Sequence, residues 1–139
     1  MGTTIRPELS KNNPYWIEKH RYYELKHFCL QYHSWRKAYA ALEGIRTYKI
    51  DPAGLRKENF SSDPTARCAI EKAFYSERMD MLKRVCQKAD PIFADYILAA
   101  VIEGWSYDIL KARFQIPCCK DDYYKLYRRF FRLLSIERK

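Results

Sequence analysis

"AAVIEGWSYDILKARFQIPCCKDDYYKLYRRFFRLL", residues 99–134, reads as three helices with a tight break between the second and the third. Gly104 can take the left-handed conformation that ends a helix. Ser106, two residues on, is a side chain that caps the next one. "SYDILKARF" (residues 106–114) then gives a short helix with Ile109, Leu110 and Phe114 expected inward. Pro117 disfavours a helical Ile116, so "QIPC" breaks the chain and Ile116 is placed to plug the core from the turn. The last helix is expected from about Lys120 to Leu134 or beyond. This is the plan of a helix-turn-helix unit, with a turn about two residues longer than the tightest versions.

The phase of that last helix decides what it can touch. At about 100° per residue, Asp121, Lys125, Arg128 and Arg132 fall within an arc of roughly 60°, with Arg129 at its flank. Tyr123, Leu126, Tyr127, Phe130, Phe131, Leu133 and Leu134 fall on the other side. The expectation is an aromatic anchor inside and a basic ridge headed by Arg128 outside. Such a ridge suits the major groove, where Arg pairs with guanine in bidentate fashion and Lys or Arg meets phosphate. Ordinary solvation of a helix also produces a basic outer face. Asp121 on the same face repels phosphate unless it caps the helix or accepts from a cytosine amino group.

Upstream of this unit the chain continues to read as helix. "NNPYWIEKHRYYELKHFCLQY" (residues 12–32) starts with Asn13 as a cap and Pro14 in the first turn. "SWRKAYAALEG" restarts with Ser34 as a cap and is expected to stop at Gly44, which makes a helical hairpin. "IRTYKIDPAGLRKENFSSD" (residues 45–63) holds Pro, Gly, Asn and Ser without a period and reads as a loop or linker. Asp63 and Pro64 open a helix of about 25 residues, a spine or dimerisation element, with Ala66, Ala69, Ile70, Ala73, Phe74, Met81, Leu82 and Val85 at helical spacing. Asp90 and Pro91 then punctuate before the C-terminal unit. The expected organisation is all-α: a helical hairpin over 1–44, a linker over 45–63, a long connecting helix over 64–90 and a tri-helical helix-turn-helix over 91–139.

Composition sets the outer limits. Of 139 residues 47% are hydrophobic and 16% aromatic, ample for a packed core, and only 4 Gly and 6 Pro interrupt it. The formal charge of +9 and a pI near 9.3 make an anionic partner such as nucleic acid a serious candidate. Residues 1–90 hold 17 Lys+Arg against 11 Asp+Glu, so the excess is spread along the chain and identifies no partner by itself. Five cysteines, Cys29, Cys68, Cys86, Cys118 and Cys119, lack zinc spacing. His20 and His27 lie two turns, roughly 10 Å, apart, too far to share one metal. Neither a metal nor another cofactor is expected. No nucleophile-and-base pattern or glycine-rich phosphate loop points to an enzyme. "MGTTIRPELS" carries no apolar signal and no run approaches the roughly 20 apolar residues of a membrane span, so a cytoplasmic location off the membrane is expected.

"VIEGWSYDILKARFQIPCCKDDYYKLYRRFFRLLSIERK" (residues 101–139), with its IPC turn, paired aromatics and "RRFF", resembles the C-terminal end of small phage-encoded transcriptional regulators of the RinA/ArpU type from Gram-positive hosts. The resemblance implies a helix-turn-helix similar to the one at the C-terminus of sigma factors, a bacterial cytoplasmic setting, and duplex DNA as partner. It implies Lys120, Lys125, Arg128, Arg129 and Arg132 on the recognition helix, and Ser106, Tyr107 and Lys111 on the supporting helix near the DNA backbone. RNA polymerase or another protein, and a second copy of the chain, are further partners under this reading. Two other readings stay open. One is a phage packaging subunit of the small-terminase kind, which also sets a helix-turn-helix on an oligomerising body. The other is a protein-interaction module, such as a phage inhibitor of a host nucleic-acid-binding complex, for which 12 Tyr and many Arg provide typical hot-spot residues.

Overall fold

The computed structural model describes residues 14–48 and 64–138. Among the described residues there are six α-helices and no strand, so the chain is all-α: α1 Lys19–Leu30, α2 Tyr32–Tyr48, α3 Pro64–Ala89, α4 Ala94–Glu103, α5 Tyr107–Phe114 and α6 Lys120–Glu137. Two compact units divide the described residues. One joins 14–31 to 81–138; the other holds 32–48 and 64–80. These borders differ from those expected at 44, 63 and 90 because α1 packs on α4 and α6, a long-range pairing that no local signal announces.

The helix ends follow local chemistry, in part at other residues than expected. Glu18, in extended conformation, caps α1 by accepting the Arg21 N–H at 3.1 Å. The helix therefore starts five residues after Pro14, which lies in a turn; Asn13 lies outside the described residues. Only Gln31 separates α1 from α2, with its N–H donating to the Phe28 carbonyl. Ser34 accordingly sits inside α2 rather than at its cap, and α2 runs past Gly44 to Tyr48. The expected linker is thus helical over its first four residues, and the rest of it lies outside the described residues.

In the first unit the end of α3 contributes Leu82, Val85, Cys86 and Ala89, all buried. The Asp90 carboxylate then accepts from the N–H groups of Ile92 and Phe93 at 2.8 and 3.2 Å, and this turn redirects the chain into α4. Helix α4 ends as expected at Gly104, left-handed at φ 74°, whose N–H donates to the Ala100 carbonyl. Ser106 caps α5, accepting the Ile109 N–H at 3.4 Å. Gln115 takes the left-handed conformation without being glycine, and after it Ile116 turns fully inward. Helices α4, α5 and α6 pack on one another, the three-helix arrangement expected for residues 91–139.

Within α5 only Tyr107 and Leu110 are buried. Ile109 and Phe114 are 39% and 48% exposed, contrary to their expected inward positions. Ile109 winds to the far side of this two-turn helix from Tyr107 and Leu110. Phe114, at the helix end, lies instead against the Trp105 ring, 5.7 Å between centroids.

In the second unit, Cys68 Sγ on α3 meets the Leu42 carbonyl on α2 at 3.7 Å. Lys72 pairs with Glu43 and lies over the Tyr39 ring. Among the described residues of this unit, Tyr32 and Trp35 are the buried ones. Further along α3, Ile70 and Phe74 stay 68% and 46% exposed.

Candidate nucleic-acid interface

Helix α6 is fixed before it can present anything. Its buried stripe is Tyr123, Phe130, Phe131 and Leu134. Tyr127 joins them through an edge-on contact with Phe131 and a hydroxyl-to-hydroxyl hydrogen bond of 3.2 Å to Tyr22 on α1. Tyr22 also meets Phe131 edge-on at 5.1 Å, the arrangement that ring quadrupoles favour. Burial pushes the Tyr22 hydroxyl up to about 12, so both members of this bond are neutral at ordinary pH.

The C-terminal end is held by charge. Arg21 on α1 donates to the carbonyls of Ser135 and Arg138 at 3.2 and 2.6 Å, satisfying groups that the helix leaves unpaired. Arg84 and Lys88 on α3 pair with Glu137 at 2.6 and 3.3 Å. Those hydrogen bonds, Arg84 first, hold the Glu137 carboxyl below its ordinary range.

With α6 so fixed, its outward residues after Lys120 at the first position are Asp121, Asp122, Lys125, Arg129, Arg132 and Ile136. The centre of that row lies about 40° round the helix from the expected arc, measured at about 100° per residue. Arg129 therefore stands in the exposed row, and Arg128 moves to its flank. Arg128 is half-buried and its guanidinium donates back to the Tyr124 carbonyl at 3.4 Å, which corrects the expectation that Arg128 heads the ridge. Leu126 and Leu133, counted as inward, are only half-buried and account for the rotation. Lys125, Arg129 and Arg132 make no hydrogen bond or ion pair among the described residues. Asp121 and Asp122 occupy the first turn, where a carboxylate complements the helix dipole.

The other expected contacts divide. Lys120 is exposed and reaches the Asp108 carboxylate at 4.0 Å, so a phosphate there competes with an ion pair. Lys111 donates to the Ile116 carbonyl at 3.3 Å and steadies the turn. Ser106 is half-exposed at the α5 cap. Tyr107 is largely buried, 9% exposed, and its hydroxyl donates to the Cys118 carbonyl at 2.7 Å, which ties α5 to the turn.

Two neighbours of this surface escaped the sequence. Tyr124 accepts the Tyr107 N–H on its hydroxyl at 3.0 Å. Lys26 on α1 lines the same cleft as Tyr124 and Ser106. Nothing in the sequence signalled Lys26, since only the packing of α1 on α6 brings it near the C-terminal helices. Among the described residues, no three His, Cys, Asp or Glu side chains gather as a metal site, and no helix is long and apolar enough to cross a membrane. No family model, no curated protein and no solved structure matches the chain.

Proposed function

We propose that this chain is a DNA-binding transcriptional regulator of the RinA/ArpU type, encoded by a phage or prophage, that uses α4–α6 as a helix-turn-helix on duplex DNA. The observation that carries the reading is the row Lys125, Arg129 and Arg132, exposed and without an intramolecular partner among the described residues, on the last helix of a three-helix unit. Three such cations without an ion pair among the described residues are suited to neutralising phosphates and reading guanine edges, with Asp121 and Asp122 held at the first turn of the same row. The action is binding without catalysis, in the cytoplasm of a bacterial host, with RNA polymerase or a second copy of the chain as protein partners. A small-terminase-like packaging subunit uses the same surface and differs in assembling as a ring.

A second reading, a protein-interaction module, is favoured by a different observation: the exposed Ile70 and Phe74 on α3. Titration of labelled duplex DNA at about 50 and 200 mM salt separates the two. Under the DNA reading binding falls steeply with salt, Arg129→Ala/Arg132→Ala weakens it strongly, and Arg128→Ala weakens it less. Absence of binding at low salt, or binding indifferent to the double substitution, overturns it in favour of the protein partner.

A further inference from the structure

On the flank of α6 beyond Arg128, a cleft of about 70 Å³ opens between α1, the α4–α5 turn and α6. Trp105, Tyr127 and Phe131 line it with rings, the Tyr127 hydroxyl being already bonded to Tyr22, and Lys26, Ser106 and Tyr124 bring further polar groups. The hydrogen-bond inventory of those three is one-sided. The Tyr124 oxygen already accepts from the Tyr107 N–H, so its phenolic proton is left to donate. The Ser106 oxygen already accepts from the Ile109 N–H, so its hydroxyl proton is likewise available. Lys26 brings three donors and no acceptor, and it has no carboxylate partner among the described residues. Among the described residues no Asp or Glu lines the cleft.

A cleft lined by donor-bearing side chains, one of them cationic, and by no carboxylate among the described residues suits an oxyanion. Its volume is ample for a phosphate-sized group, since one water needs only about 10–15 Å³ on the same measure. We infer that Lys26, Ser106 and Tyr124 seat one backbone phosphate of the bound duplex. This inference rests on the DNA reading above and extends it to a residue outside the helix-turn-helix. A helix lying in the major groove is walled by the two phosphate backbones. The cleft's α6 lining winds about 140° from the centre of the exposed row, and the cleft opens beside Ser106 at the N-terminal end of α5, the supporting helix. Lys26 then positions the protein on DNA without reading sequence.

The test is the same DNA titration on the full chain, across salt and on two unrelated duplexes, with Lys26→Gln and Lys26→Arg. Thermal melts of each variant check the fold. Loss of one phosphate contact lowers the slope of log affinity against log salt by about 0.9 and weakens both duplexes by a similar factor, while Lys26→Arg restores the slope. If wild type binds DNA and Lys26→Gln keeps both slope and affinity, the cleft is no phosphate seat and the DNA reading survives. If wild type binds no DNA, both fall. If inorganic phosphate raises the Tm of wild type but not of Lys26→Gln while the DNA slope is unchanged, the cleft serves a free anion and the backbone assignment is overturned.

Discussion

Tyr123→Phe should stabilise this protein, although replacing a buried tyrosine usually does the reverse. The ring of Tyr123 is fully buried against Tyr107, Tyr124 and Tyr127. Its hydroxyl is enclosed and has no hydrogen-bond partner among the described residues. Burial pushes its ionisation far up, so the group is a neutral, desolvated dipole. Such a group costs about 1–3 kcal/mol, and phenylalanine keeps the ring while removing the cost. A gain of about 1–2 kcal/mol follows, or a Tm higher by roughly 3–7 °C for a chain of this size. Tyr22→Phe is the control, because that hydroxyl does have a partner in Tyr127, and its loss should cost about 1 kcal/mol. Urea unfolding followed by circular dichroism reads both. Equal destabilisation by the two substitutions would refute the reasoning, since it would mean that the Tyr123 hydroxyl is hydrogen-bonded.

Gly104→Ala puts a Cβ at φ 74°, 3.3 Å from the Leu30 Cδ2, and should destabilise by about 1–2 kcal/mol in the same unfolding assay. Gln115→Gly relieves a left-handed position at φ 54° and should be neutral to stabilising by up to about 1 kcal/mol, the opposite sign at the other turn. Glu137 has a folded pKa lowered by Arg84 and Lys88. Its contribution to stability is therefore present above its unfolded pKa and lost as pH falls through the lower folded value. Melting wild type and Glu137→Gln between neutral pH and about pH 3 should show a gap that closes on acidification; a gap constant with pH would contradict the ion-pair account.

Features set by a few adjacent residues were legible in the sequence. The left-handed stop at Gly104, the Ser106 cap and the inward Ile116 each depend on chemistry within four residues. The phase of α6 was legible only to within part of a turn, since sequence alone counts Leu126 and Leu133 as inward with Phe130 and Phe131. Their half-exposure is decided by which neighbours α6 meets, and that exchanged the roles of Arg128 and Arg129. Tyr107 shows a related limit: its ring fits a surface or a core, and its hydroxyl bond to the Cys118 carbonyl, absent from any local pattern, sets its burial. Gly44 shows the limit from the other side, because a glycine permits a helix stop without requiring one.

The unit that carries α6 is discontinuous in sequence, and this shapes how it can form. Residues up to 31 must meet residues from 81 onward across the 49 residues from 32 to 80. In the unfolded chain, before α2 and α3 form, closing a loop of that length costs on the order of 3.4 kcal/mol through its logarithmic term, and halving the loop recovers only about 0.6. Folding therefore waits on a distant encounter rather than on local coiling, which places the molecule among slower helical folders. A fragment excised from residue 91 onward would lose Leu25, Leu82 and Val85 from its core, exposing the aromatic back of α6 to aggregation. The same logarithm makes the intervening segment forgiving of length, so shortened or exchanged versions of it should leave the unit able to assemble.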